Sequence, residues 1–328
     1  MRSALILSFL ILFSSCAKKP AEEVDEAIDL ALTYLSDGKC NQAIDVLEDV
    51  GRDLTNPIYL QVLASAYACR AGFDERTFLA TDIPKIDSDA ADLMKSLTTM
   101  TLSPETVADS DDYMDLLESV NILLYVDANQ PSQAAREAKY GPRKAGDMGV
   151  QTLFLSMTLL GRFIHFYGNV DAAGAKGAGA ASTDEQGATP STCFVEYTEA
   201  QALAFIGGGG GSVCNNMGTD DGHPDMLFAP AATLVITKRR MCEGLMLVTN
   251  IVDILNNLTL PSDSSMGQLT NVTATVNTAI DAIITARPAL EPLITTTSQA
   301  ECETLVAAAG EFNNLQLIYA MLFDGGLP

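Results

Sequence analysis

From Val150 to Tyr167 the chain carries Val150, Leu153, Phe154, Met157, Leu160, Ile164 and Tyr167 at i, i+3, i+4 and i+7 spacing. On a helix these side chains share one broad face, and a face that apolar must be buried. The same spacing returns in Leu116, Val120, Leu123 and Leu124, in Leu234, Met241, Leu245, Val248, Val252 and Leu255, and in Leu305, Ala309, Phe312, Leu315, Tyr319 and Leu322. Nowhere do apolar and polar residues alternate cleanly for more than about five positions, the pattern a half-buried strand needs. The predicted fold class is therefore all-α. Met266 to Ala286, rich in threonine, valine and isoleucine, is also read as helix, although β-branched residues lower its propensity. Arg162 and His165 favour a central core helix over a membrane span for residues 150–167.

Charge and composition divide the chain. Residues 20–127 hold 23 acidic and 6 basic side chains, and so carry −17 of the net −23. Such a surface is solvated and self-repelling, selects basic partners and opposes a phosphate backbone, so nucleic acid is excluded as a partner. Arg136, Lys139, Arg143 and Lys144 surround Gly141-Pro142, read as an interdomain turn between a helical region 22–140 and a helical domain 141–328. Within the second, residues 171–229 form a glycine-rich irregular insertion: Asp171 to Pro190 is rich in glycine and alanine, and Gly207 to Gly211 is a run of five glycines. Long irregular segments in a compact domain are usually functional or disordered. Val195 to Ile206 inside it reads as a short helix-like piece.

Catalytic and metal patterns are lacking. The glycine run has no following lysine to reach a phosphate, and no serine sits in G-x-S-x-G. The only imidazoles are His165, on an apolar helix and read as a packing residue, and His223, in the insertion. Asn215, Asn216, Asp220, Asp221 and Asp225 offer oxygen ligands, but their spacing fails the calcium-loop pattern and they read as a polar turn. Lys238-Arg239-Arg240 reads as the exposed face of its helix. No cofactor, no metal and no enzymatic activity are expected.

The first residues are read as a targeting segment rather than as fold. Arg2, the apolar run Ala4 to Phe13, and Ser14-Ser15-Cys16 form a secretory signal too short to span a bilayer. The small residues before Cys16 resemble a bacterial lipobox, with Phe13 where leucine is usual. The resemblance implies a signal peptide over residues 1–15, cleavage before Cys16, and lipid on that cysteine, followed by a membrane-proximal linker over 16–21. Ala17 after the cysteine, by the same resemblance, implies sorting to the outer membrane, facing the periplasm.

Six cysteines then remain: Cys40, Cys69, Cys193, Cys214, Cys242 and Cys302. In an exported chain an even number without C-x-x-C points to disulfides rather than zinc. Locality pairs 40 with 69, 193 with 214 and 242 with 302.

Residues 22–72 show an internal repeat. Ala27, Leu30, Ala31 and Tyr34, then Ala43, Ile44, Leu47 and Val50, then Leu60, Leu63, Ala64 and Tyr67 form three helical stripes, closed by Gly38, Asn56-Pro57 and Gly72. Tyr34 to Tyr67 is 33 residues and Gly38 to Gly72 is 34. With Tyr34, Gly38, Ala43, Leu47 and Pro57 at its aromatic, turn, small, large and terminal positions, the segment resembles the tetratricopeptide family over about 50 residues. The pattern fades in the second copy, where Thr77 and Thr81 occupy the small and large positions. In such an array Cys40, opening one helix, and Cys69, closing a later one, lie at the same level. The sequence thus predicts a tetratricopeptide-like helical array followed by a helical bundle. The resemblance implies a lipid-anchored envelope protein, held to the membrane by its N-terminal lipid, that binds a protein partner as an adaptor or scaffold. The alternative is an envelope binding protein for a small apolar ligand or transporter substrate.

Overall fold

Three helices open the structure: α1 (Pro20–Ser36), α2 (Cys40–Asp49) and α3 (Pro57–Arg70). The computed structural model describes residues 20–86, 90–104, 107, 109–125, 132–177, 193–197, 222–227, 231–258, 267–307 and 311–325. Every regular element among them is helical, as the apolar spacing predicts. Local chemistry sets the ends of the first three. Gly38 (φ +72°) and Gly72 (φ +81°) adopt the left-handed backbone that other residues resist, the first between α1 and α2 and the second just past α3. Asn56 Oδ1 accepts from the amides of Ile58 (3.0 Å) and Tyr59 (3.2 Å), with Pro57 in the first turn of α3. The predicted stripes are buried in part: Ala27 and Ala31, Ala43, Ile44 and Leu47, and Leu60, Leu63 and Ala64 are in the core and Tyr34 and Tyr67 half-buried. Leu30 is 41% and Val50 36% exposed, because α1 buries Ile28 in place of Leu30 and Val50 lies past the last turn of α2. Tyr59 is fully buried, and its hydroxyl donates to the Leu47 carbonyl at 2.8 Å. Helix α2 packs on both neighbours, and α1 also touches α3.

Of Thr77 and Thr81, expected on the next helix, Thr77 ends a single α turn and Thr81 lies in a π turn. Helix α4 (Glu75–Thr77) is a single turn that continues as a π turn, Phe78–Asp82, and a 3-10 turn, Ile83–Lys85. Pro84 offers no amide to a ladder. Phe78 is drawn inward between Phe73 (5.7 Å) and Phe154 (5.0 Å). The buried Asp82 carboxylate accepts from the Thr101 amide and hydroxyl and from Lys85 Nζ, at 2.8–2.9 Å. Core packing and a satisfied carboxylate outweigh regularity here.

The rest comprises α5 (Ala90–Thr98), α6 (Asp111–Leu124), α7 (Gln133–Tyr140), α8 (Pro142–Tyr167), α9 (Ala231–Asn257), α10 (Gly267–Ala286), α11 (Glu291–Thr295), α12 (Gln299–Ala307) and α13 (Glu311–Ile318), the last running into a π turn, Tyr319–Asp324. The stripe from Leu305 to Leu322 falls on α12, α13 and the π turn, and residues 308–310 lie outside the described residues. Helix α8 is the hub: it packs against α3, α5, α6, α7 and α9, and Thr152 to Ile164 are buried throughout. Its approach to α5 depends on Gly161, where an added Cβ would lie 2.4 Å from the Leu97 carbonyl oxygen. The predicted turn at Gly141-Pro142 joins α7 to α8, and one apolar core runs across it from α1 to the carboxy-terminal turn. Arg136, from the basic stretch, is buried and donates to Gln133 Oε1 at 3.1 Å. Among the described residues no helix is long and apolar enough to cross a membrane.

Two of the expected disulfides are present. Cys40 at the start of α2 is bonded to Cys69 near the end of α3, with Cα atoms 5.6 Å apart, and Cys242 on α9 to Cys302 on α12, 5.8 Å apart. Cys193 is also disulfide-bonded. Its predicted partner Cys214 lies outside the described residues, as do Cys16 and the targeting segment.

Candidate functional site

Two concave surfaces can take a partner or a ligand. The larger is a groove of about 930 Å³ between α1, α3, α4 and α8. Helix α1 turns its small residues toward α2 and α3, which leaves Leu32 48% exposed, with Leu35 beside the groove. Helix α3 is apolar nearly all round, so burying one face strands Ile58 in solvent at 50% exposure. Gln151 of α8 stitches the floor, its Nε2 donating to the Gln61 carbonyl (3.0 Å) and to Ser65 Oγ (2.9 Å) of α3. Asp74, Glu75 and Asp147 line the groove against the single cation Arg76, so its field is negative. Apolar side chains exposed beside a polar rim mark an interaction surface.

The smaller concavity, about 390 Å³, lies between α6, α9 and α12. The residues of α6 that face away from the α8 core, Met114, Leu117 and Asn121, join Val120, Leu124, Met246 and Leu247 in an apolar wall. Asp109, Tyr125, Arg239, Glu243, Gln299 and Glu303 complete it. Gln299 Nε2 donates to the Arg239 carbonyl (3.0 Å) and Glu303 Oε1 (2.7 Å), and its backbone amide donates to Tyr125 Oη (3.2 Å). The Tyr113 hydroxyl donates to Glu243 Oε1. Burial pushes the Glu243 carboxyl up to about 7; Asp109 adds to the shift, and the Tyr113 hydrogen bond with Arg239 and Arg240 offsets part of it. The Cys242–Cys302 bridge adjoins Glu243 on one wall and Glu303 on the other, so it fixes the width of the cleft.

Of the described parts of the glycine-rich insertion, residues 193–197, Gly222, His223 and Met226 are buried in the core, whereas Ala172, Ala173 and Pro224 are exposed. Lys176 Nζ, 3% exposed, meets the fully buried Asp324 carboxylate at 3.2 Å and its carbonyl at 2.9 Å. The Phe194 amide (3.2 Å) and the Tyr197 hydroxyl donate to the same carboxylate. Residues 193–197 form no helix, and of the helix-like piece expected over Val195 to Ile206, residues 198–206 lie outside the described residues; His223 N donates to the Phe194 carbonyl and Gln316 Nε2 to the Glu196 carbonyl. The run Gly207 to Gly211 lies outside the described residues.

His223, expected in a loop, is 4% exposed, its ring 4.7 Å from Phe166 and 5.3 Å from Tyr167. Its Nδ1 accepts from the Asp225 amide at 3.2 Å. Burial, reinforced by Arg240, pushes its pKa down to about 4, so the ring is neutral at ordinary pH. His165 is half-buried on α8, as a packing residue would be. Arg240 corrects the reading of Lys238-Arg239-Arg240 as an exposed face. Its side chain is 12% exposed and pairs with Asp109 at 2.7 Å, donates to the Asp225 carbonyl at 2.8 Å and lies over the Tyr167 ring. Only Arg239 of the three is exposed. Of the oxygen-ligand candidates, Asp225 faces Arg240, whereas Asn215, Asn216, Asp220 and Asp221 lie outside the described residues. Among the described residues no group of three or more His, Cys, Asp or Glu side chains is placed to hold a metal ion.

Sequence reasoning anticipated the helices around the groove but not the groove, and it missed Glu243 and Asp324 altogether. The only signal for either was an acidic residue inside an apolar stretch, Glu243 between Cys242 and Gly244 and Asp324 after Phe323. No family model matches the chain, and no curated protein or solved structure matches it.

Proposed function

We propose that this chain is a lipid-anchored cell-envelope protein, tethered through Cys16 to the outer membrane on its periplasmic side, that acts as an adaptor by holding a protein partner in the groove between α1, α3, α4 and α8. The observation that carries the reading is the groove itself: Leu32 and Ile58 stand half exposed over a concavity of about 930 Å³ whose charged lining is mainly acidic. In this reading α1 to α3 are the first one and a half tetratricopeptide-like repeats, and the concave face of such an array is an extended binding surface. The partner that fits is an amphipathic segment with aliphatic anchors for Leu32 and Ile58 and flanking lysine or arginine for Asp74, Glu75 and Asp147. The two described disulfides, both internal, favour an oxidising compartment such as the periplasm.

The anchor and the groove are tested separately. Replacing Cys16→Ser is expected to abolish acyl mass in the intact-mass spectrum and to shift the protein to the soluble fraction or leave its leader uncleaved. A wild type that is itself soluble and free of acyl mass overturns the tether. For the groove, the wild type is expected to recover a stoichiometric protein from detergent extracts of its own host. Ile58→Asp should lower that recovery at least about tenfold, as a central anchor residue would. Because Ile58 is already half exposed, its thermal midpoint should stay within a few degrees of wild type. Recovery of no stoichiometric partner counts against the adaptor.

A further inference from the structure

Independently of the groove, the cleft between α6, α9 and α12 has the construction of a small-molecule site. Its volume of about 390 Å³ falls within the roughly 300–1,000 Å³ of ordinary ligand pockets. Met114 and Met246 supply walls that adapt to an apolar body of uncertain shape. At its inner end Glu243 uses one carboxylate oxygen to accept from Tyr113, while the other has no hydrogen-bond partner among the described residues. Glu243 is half-buried and lines the cleft, so its second oxygen is open to a ligand there, with few protein donors to compete for it. The other charges around it leave an acidic surplus: Asp109 already holds Arg240, Glu303 accepts from Gln299, and Arg239 is the one cation lining the cleft. An anionic ligand would meet three carboxylates, and a neutral one would leave Glu243 without a partner.

We propose that this cleft binds a small organic cation, an apolar body carrying one protonated amine, with the amine seated on the unpartnered oxygen of Glu243. The body lies along Met114, Leu117, Val120 and Met246. The Cys242–Cys302 bridge holds the two sides of the site at a fixed spacing.

The test titrates the oxidised full-length protein with 2-phenylethylamine, its neutral analogue 2-phenylethanol and the anionic 3-phenylpropanoate, following the methionine methyl groups by NMR. The amine is expected to shift the Met114 and Met246 methyls in a saturable way and to bind at least about tenfold more tightly than either analogue. Glu243→Gln should abolish that preference; the amide keeps the shape and can still accept from Tyr113, so fold and midpoint are retained. Affinity for the amine should also fall about tenfold from pH 8 to pH 6, because Glu243 gains its proton near 7 while the amine stays charged. The charged and titratable groups that face Glu243 are Tyr113 and Tyr125 at α6, Tyr167 on α8, Tyr319, Asp109, and Arg239 and Arg240 on its own helix; burial pushes the four tyrosines up, so they stay protonated across this range. Equal affinity for amine and alcohol, an unchanged preference in a folded Glu243→Gln, or shifts confined to other methyls would each overturn the proposal, as would no saturable binding of the amine at millimolar concentration.

Discussion

Reducing the two described disulfides is expected to remove most of the stability of this fold. Cys40–Cys69 closes a sequence separation of 29 residues and Cys242–Cys302 one of 60. On the chain-entropy account, loops of these sizes are worth about 3.5 and about 4 kcal/mol, because each bond removes conformations from the unfolded chain. Together that is comparable to the roughly 5–15 kcal/mol of net stability of a typical domain. Urea unfolding followed by circular dichroism should therefore show a much lower midpoint in dithiothreitol than in its absence. Coincident curves would refute the expectation. The bonds should also differ in access. Cys242 and Cys302 are fully buried, whereas Cys40 and Cys69 are only half-buried. Under native conditions alkylation with mass spectrometry should find Cys40 and Cys69 reduced first, with Cys242–Cys302 protected until α9 and α12 separate. Loss of the second bond should also widen the Glu243 cleft, since no other covalent link joins those helices.

Replacing Asp324→Ala is expected to cost about 3–5 kcal/mol, the range for removing one partner of a buried ion pair. Three donors from two distant segments converge on this carboxylate: Lys176 Nζ, the Phe194 amide and the Tyr197 hydroxyl. Burial raises the Asp324 pKa, and Lys176, the Tyr197 hydroxyl and the Phe194 amide oppose that rise. Asp324→Asn, which keeps an acceptor but loses the charge, should cost less. The double replacement Lys176→Met with Asp324→Leu should recover part of the loss, because it removes both desolvated charges at once. Equilibrium urea unfolding measures all three, and hydrogen exchange at the Phe194 amide should accelerate in Asp324→Ala even under native conditions. An Asp324→Ala protein within about 1 kcal/mol of wild type would show that the carboxylate holds nothing in place.

Several of these elements could be read directly from residue spacing. The stripes of α1, α2 and α3, the stop signals Gly38, Asn56-Pro57 and Gly72, and the buried face of α8 follow from period and turn chemistry, which are local properties. The pairings 40 with 69 and 242 with 302 followed from locality, because the residues lie on neighbouring helices. Spacing failed where long-range packing decided. Phe78 and Asp82 each found partners far along the chain, and the helix expected from Thr77 became a π turn. Val195 to Tyr197 are not helical, and the Glu196 carbonyl accepts from Gln316, 120 positions away. Arg240 looked like surface because its two neighbours are basic, yet Asp109, 131 positions away, draws it inward.

What the sequence by itself determined is the helical class, the places where the early helices begin and end, and the excess of acidic charge in the first half. Each depends on residues within a few turns of one another, or on composition alone. Only the tertiary structure decided which apolar residues remain exposed and which carboxylates become buried. Ile58 is stranded because α3 has more apolar faces than neighbours to cover them, and Asp324 is enclosed because residues 176 and 193–197 pack onto the carboxy-terminal turn. Exposure and desolvation are properties of the packed arrangement, set by contacts between residues tens to hundreds of positions apart.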